Sequence, residues 1–175
     1  MSAKSPSGPT LIQLDTVDPA LIETLLDAAF EPTRRTRTAY KLREGTEWLP
    51  ALSFAALDPA DNLVGTIQCW PLALTDANAR RHPLIMVGPV AVLPAHQGEG
   101  YGQALMTACL AALSPDAPLP QVMIGDADYY GRFFGFSNAH TGGWQLPGPF
   151  DRARLLARTA NPALLPREGM LGPWR

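Results

Sequence analysis

The chain has 175 residues, 46% hydrophobic and only 17% charged, with a formal net charge of −2. This length and apolar content suit one domain with a sizeable core and exclude a disordered chain. The near-balanced charge gives no support to general nucleic-acid binding, and no apolar run reaches the roughly 18 residues that a membrane span needs.

The first residues, MSAKSPSGPT, lack the apolar core of a signal peptide. They read as a flexible lead-in over residues 1–12, leaving 13–175 as a single domain. Low charge and 18 prolines point to short elements, ordered loops and a self-association surface such as that of a homodimer. Cys69 and Cys109 lie in apolar stretches. They form neither a disulfide framework nor a metal knuckle and read as buried thiols of a cytoplasmic protein.

Asp18-Pro19 predicts a helix start, a capping carboxylate followed by proline in the first turn. Leu21, Ile22, Leu25, Leu26, Ala29 and Phe30 then recur at helical spacing, and the helix ends near Glu31-Pro32. Thr33 to Glu44 carries Arg34, Arg35, Arg37, Lys41 and Arg43 above a weak apolar face. It reads as a short, mostly exposed helix with a solvated basic face. The alternative is a wall of the acceptor-substrate site, or help in holding a ligand phosphate.

Leu52 to Leu57 and Leu63 to Trp70 form a predicted hairpin around the turn signal Asp58-Pro59-Ala60-Asp61-Asn62. Pro71 ends or edges the second strand, and Thr75 to Pro83 reads as a polar connection. Leu84 to Val92 is the next strand, with a bulge or splay at Gly88-Pro89 because proline cannot donate to a ladder. A glycine-rich turn, Gln97 to Gly102, opens into a helix with Tyr101, Ala104, Leu105, Ala108, Cys109 and Ala112 on one face.

Gln121 to Ile124 is a short buried strand, and Asp128 to Phe134 a short aromatic helix stopped by Gly135. Thr141 to Phe150 reads as a Gly/Pro-rich loop, Arg152 to Thr159 as helix or strand, and residues 161–175 as an irregular tail. The mixed order fits an α/β (α+β) domain, one sheet flanked by helices.

The glycine turn is the first chemical signal. A helix start presents unpaired N–H groups and a positive dipole end, which suit a phosphate or pyrophosphate. No lysine follows the glycines, so the turn is not a Walker A loop. Gly102 comes one residue early for a dinucleotide fingerprint, and an antiparallel hairpin precedes it. Gln97-Gly98-Glu99-Gly100-Tyr101-Gly102 does satisfy Gln/Arg-x-x-Gly-x-Gly/Ala at a strand–turn–helix junction, after Val90-Ala91-Val92-Leu93-Pro94.

The second signal is Gly125-Asp126-Ala127-Asp128-Tyr129-Tyr130-Gly131-Arg132-Phe133-Phe134-Gly135-Phe136. By itself it reads as a packed aromatic helix. On these two stretches the chain resembles the GNAT superfamily of acyl-CoA-dependent N-acetyltransferases. The second is similar to a subgroup signature G-D/E-x-x-Y-Y-x-R-F-G-F, with one extra phenylalanine before Gly135. The resemblance extends from about Asp18 to Thr159.

The resemblance implies a mixed, mostly antiparallel sheet flanked by helices, with a splayed strand pair holding the cofactor and a late strand at Arg152 to Thr159. It implies acetyl-CoA as acyl donor and no metal. The pantetheine arm would lie along Val90, Ala91 and Val92, and the pyrophosphate against Gln97, Gly98, Glu99, Gly100, Tyr101, Gly102 and Gln103. Tyr130, with Tyr129 in reserve, would protonate the leaving thiolate.

Leu84 to Val92 holds no ionisable residue, which leaves Asp126, Glu47 or His82 as base. His96 is expected to cap or shield the turn, His140 to sit in a loop, and Glu99 to face outward. The acceptor is expected to be a small-molecule amine, acidic or carboxylate-bearing, rather than a protein. The alternative is a non-catalytic acyl-CoA sensor or interaction module on the same fold.

Overall fold

The computed structural model describes residues 9–116 and 118–175. Eight strands follow the hydrogen-bonded order β1-β2-β3-β4-β5-β7, with β8 on β3 and β6 on β8. They are β1 (Thr10–Gln13), β2 (Phe54–Leu57), β3 (Leu63–Thr75), β4 (Arg81–Val92), β5 (Gln121–Ile124), β6 (Gly143–Gln145), β7 (Leu155–Arg158) and β8 (Glu168–Pro173). The ladders β1/β2, β2/β3, β3/β8 and β5/β7 are antiparallel, while β4/β5 and β6/β8 are parallel. Four α-helices occur among the described residues: α1 (Pro19–Phe30), α2 (Thr38–Lys41), α3 (Tyr101–Ala111) and α4 (Ala127–Phe134). This is the expected α/β fold with a mixed, mostly antiparallel sheet. No helix among the described residues is long and apolar enough to cross a membrane.

The chain gathers into two compact units interleaved in sequence. The first holds the chain up to Arg34 with Pro50–Gln68 and Pro89–Leu113; the second holds Arg35–Leu49, Cys69–Gly88 and Ser114–Arg175. In the first unit, Asp18 caps α1 by accepting from the Ala20 N–H at 2.9 Å, with Pro19 in the first turn. Ile22, Leu25 and Leu26 are buried, while Leu21, expected on the same face, is exposed. Thr10, Leu11 and Ile12, expected within the lead-in, pair with Leu57, Ala56 and Ala55 as β1. The rest of that lead-in, residues 1–8, lies outside the described residues.

The β2–β3 turn is closed by Asp58, whose Oδ1 accepts from the N–H groups of Ala60 (2.8 Å) and Asn62 (2.9 Å). Helix α3 buries Tyr101, Leu105, Met106 and Cys109 and packs on β2. A Cβ at Gly65 would stand 3.1 Å from both the Ala91 carbonyl oxygen and Leu105 Cδ1, so glycine there sets how closely strand and helix approach.

The second unit has its own core of Leu42, Leu72, Leu74, Leu84, Met86, Val122, Trp144, Leu155 and Leu171. Several sequence expectations are corrected here. Strand β3 does not end at Pro71 but continues to Thr75, and the Pro71 carbonyl accepts from the Trp174 N–H at 3.3 Å. The polar connection after it shrinks to a turn in which Asp76 Oδ1 accepts from Asn78 and Arg80 N–H groups, each at 2.9 Å. Strand β4 then begins at Arg81.

The segment expected as a loop contains β6, whose Trp144 is fully buried and donates Nε1–H to the Pro166 carbonyl at 2.8 Å. The tail expected to be irregular contains β8, which pairs with both β3 and β6. Arg152–Arg154 forms a single 3-10 turn, and the strand implied by resemblance follows as β7.

The basic segment is corrected too. Pro32–Thr36 is a 3-10 turn and α2 is one turn long. Arg34 is 2% exposed and donates to Glu23 (2.7 Å) and Asp27 (3.0 Å). Arg43, in the second unit, is buried with its guanidinium 3.8 Å above the Tyr40 ring and 5.0 Å from the Trp70 ring. Two of the five cations therefore serve packing rather than a solvated face.

Candidate active site

Strand β4 carries Val90, Ala91 and Val92 at its carboxyl end. Ala91 is buried, and Val90 and Val92 are partly exposed. Gly88 sits at φ +123° before Pro89, within a strand that runs unbroken from Arg81 to Val92. The parallel ladder between β4 and β5 consists of Ile85↔Gln121 and Met86↔Val122 and goes no further, while β5 continues its pairing with β7 through Ile124↔Leu155. A single 3-10 turn, Pro94–His96, leads from β4 into the glycine turn.

Gly98 and Gly100 take φ values of +85° and +89°, which glycine adopts without strain. No atom comes within 4 Å of a Cβ built on either, so the surface of the turn is open. Gly100 is the N-cap residue of α3 and has no side chain to close the helix start. Among the described residues, the backbone N–H groups of residues 98–103 donate to no protein acceptor. Six such donors lie at and before the start of an eleven-residue helix, whose positive end favours an anion.

Side chains around the turn leave those donors open. Gln97 folds back, its Nε2 donating to the Val92 carbonyl at 3.3 Å, which ties the turn to the strand. Glu99 is turned outward and half exposed, with Oε1 3.1 Å from His96 Nδ1. The His96 ring meets the Tyr101 ring edge-on at 5.9 Å and braces the turn against the helix start. Gly102 and Gln103 lie in the first turn of α3.

In the second unit, Asp126 caps α4 by accepting from the Asp128 N–H at 3.2 Å, and Gly135 ends it in the left-handed conformation. The Tyr129 and Tyr130 rings meet edge-on at 4.9 Å. Tyr129 leans on its own helix, 5.1 Å from Phe133. The Tyr130 ring lies instead against Gly125, at the carboxyl end of β5, where a Cβ would stand 2.7 Å from its Cε2. Burial pushes the Tyr130 phenol above its ordinary value, and Tyr129 and Asp126 add to this against an opposing Arg154. The sequence shows Gly125 as the first residue of the second signature but gives it no role; the signal for one is a glycine placed directly between the strand and the capping aspartate.

The candidate bases are scattered. Glu47 and Asp126 are exposed. His82 Nε2 pairs with Asp76 Oδ2 at 2.9 Å beside the β3–β4 turn, and His140 is exposed in a loop. Among the described residues, no three His, Cys, Asp or Glu side chains gather to hold a metal ion. Both cysteines are buried free thiols.

Residues 20–117, more than half of the chain, match the model of the acetyltransferase (GNAT) family. The chain belongs to that family of acetyltransferases. Its fold is similar to that of the GNAT family N-acetyltransferase YhbS from Escherichia coli in complex with CoA, at TM-score 0.74 and 20% identity over 99% of this chain and 94% of that one. It is also similar to a GNAT family acetyltransferase from Brucella melitensis in complex with acetyl-CoA, at TM-score 0.61 and 24% identity over 95% and 96%. Arabidopsis thaliana Naa50, in complex with the bisubstrate analogue CoA-Ac-MVNAL, aligns at TM-score 0.56 and 16% identity over 87% and 99%. No curated protein matches this chain.

Proposed function

We propose that the described residues act as one acetyltransferase domain that moves an acetyl group from acetyl-CoA directly to a primary amine of a small molecule. The observation that carries the reading is the open glycine turn, with six backbone N–H groups directed at no protein acceptor in a chain of this family. In this reading they hold the pyrophosphate of acetyl-CoA, with Gln97 fixing the turn and Val90, Ala91 and Val92 offering main-chain groups to the pantetheine arm. The CoA and acetyl-CoA complexes of the Escherichia coli and Brucella melitensis proteins support the choice of ligand.

The chemistry then needs no covalent intermediate on the protein. The amine reaches the thioester neutral, its proton passing to solvent by way of Asp126 or Glu47. Its nitrogen attacks the carbonyl carbon while a main-chain N–H at Val92 polarises the oxygen. The nitrogen then gives up its second proton to solvent as the C–S bond breaks, and the departing thiolate takes the phenolic proton of Tyr130, which solvent replaces. A phenol whose pKa is raised keeps that proton through neutral pH, so the donor is loaded when the thiolate forms.

A small acceptor is favoured over a lysine-rich protein tail because Arg35–Leu49 carries more cationic than anionic side chains. The burial of Arg34 and Arg43 removes two of the cations that would have recognised an acidic acceptor. The test is release of free CoA from acetyl-CoA on addition of small amines (amino acids, polyamines, amino sugars) and, in parallel, of basic peptides. Release with small amines supports the reading. Turnover with basic peptides alone overturns the acceptor class, and acetyl-CoA binding without turnover on any amine points to a sensor.

A further inference from the structure

We propose that Gly125 is a positioning residue for Tyr130: the missing side chain at the end of β5 is the seat in which the phenol ring lies. The proposal rests on the reading of Tyr130 as proton donor, but its geometric part stands alone. A Cβ at position 125 would stand 2.7 Å from Tyr130 Cε2 and 2.8 Å from Cδ2, well inside van der Waals contact. Glycine is not needed there for the backbone, since Gly125 is absent from the positive-φ positions that include Gly98 and Gly100. What position 125 requires is therefore space for the ring.

Neither backbone can yield that space. The Gly125 N–H donates to the Arg154 carbonyl at 2.9 Å, directly after the Ile124↔Leu155 pair of the β5–β7 ladder, and Leu155 is fully buried. Across the contact, the Tyr130 N–H donates to the Asp126 carbonyl at 3.0 Å, and the Tyr130 carbonyl accepts from Phe136 at 3.2 Å. Gly135 closes the same helix end. With both main chains pinned, a methyl group at 125 displaces the ring, and its neighbours Tyr129 (4.9 Å) and Phe134 (6.3 Å) offer an aromatic surface to receive it. The phenol oxygen then leaves its position, which is the property a proton donor cannot lose.

The experiment compares the wild type, Gly125→Ala, Tyr130→Phe and the double variant. Acetyl-CoA affinity is read by calorimetry and turnover by CoA release with an amine that the wild type acetylates. The expected result for Gly125→Ala is a kcat loss of about 10–100-fold, the scale of a misplaced reacting group, with acetyl-CoA affinity kept. In the Tyr130→Phe background the same substitution adds little further loss. In Gly125→Ala, the 13C signal of the Tyr130 phenol, assigned by its disappearance in Tyr130→Phe, titrates closer to the ordinary tyrosine value.

Wild-type kcat in Gly125→Ala, or an equal loss in both backgrounds, overturns the proposal. Full turnover of Tyr130→Phe instead overturns the proton-donor reading, which separates the two failures. Should Gly125→Ala fold poorly, Tyr130→Ala in the same chain restores its thermal stability if ring overlap is the fault. No restoration overturns the seat.

Discussion

Gly98 and Gly100 show what a single backbone conformation contributes to this site. Both have positive φ and open space above them, so an added methyl group meets no atom and the whole cost is dihedral. Gly100→Ala should lower stability by about 1–2 kcal/mol, the usual cost of a left-handed L-residue, read as a fall in melting temperature. It should also weaken acetyl-CoA binding at least tenfold in calorimetry, because relaxing φ turns the N–H groups of the turn away from one another. Tyr130 yields a second residue-scale prediction. Its phenol is held above the ordinary value, chiefly by burial, so the protonated form persists to higher pH. The alkaline limb of the kcat profile should lie above pH ~10, where an unperturbed tyrosine would place it. In Tyr130→Phe the rate should be sharply lower and that limb absent. The sequence showed both tyrosines but not which one lies against the end of β5. Consecutive helical residues point about 100° apart, and the extra phenylalanine before Gly135 removes the register that would choose between them.

Elements with their own local signals were legible. Asp18-Pro19 announces α1, Asp58 to Asn62 the β2–β3 turn, and Asp126 and Gly135 bracket α4. Elements made by tertiary pairing were not. Strand β6 is three residues long within a Gly/Pro-rich stretch, and β8 ends on a proline, so neither shows an alternating pattern. Each exists because the other pairs with it in parallel and β3 receives β8. Trp144 anchors this arrangement: its ring is fully buried, its indole N–H is satisfied by Pro166, and the Arg152 guanidinium spans the carbonyls of Thr141, Gly142 and Trp144. Trp144→Ala should cost about 3–5 kcal/mol in chemical denaturation, as for other buried aromatics. Trp144→Phe should cost less but leave the Pro166 carbonyl unpaired. The buried Arg34 and Arg43 belong to the same lesson. A run of cations reads as a solvated face until α1 carboxylates and aromatic rings are placed beside them.

At the scale of the whole molecule, the family model and the solved structures agree on an acetyltransferase fold, and the open turn is the feature on which the proposed acetyl-CoA site rests. The acyl donor was legible because the family resemblance is carried by local sequence at a strand–turn–helix junction: glycine where φ is positive, no side chain closing the helix start and glutamine tying the turn. The acceptor was not, because the segment expected to recognise it spends two of its arginines on packing. The most direct measurement of the account is thermal unfolding of the full chain with increasing acetyl-CoA, wild type beside Gly100→Ala. The wild type should gain about 2.7 kcal/mol at a ligand concentration 100 times the dissociation constant, with the Gly100→Ala curve displaced to higher ligand. No stabilisation of the wild type at millimolar acetyl-CoA would contradict the assignment of the glycine turn as an acyl-CoA site.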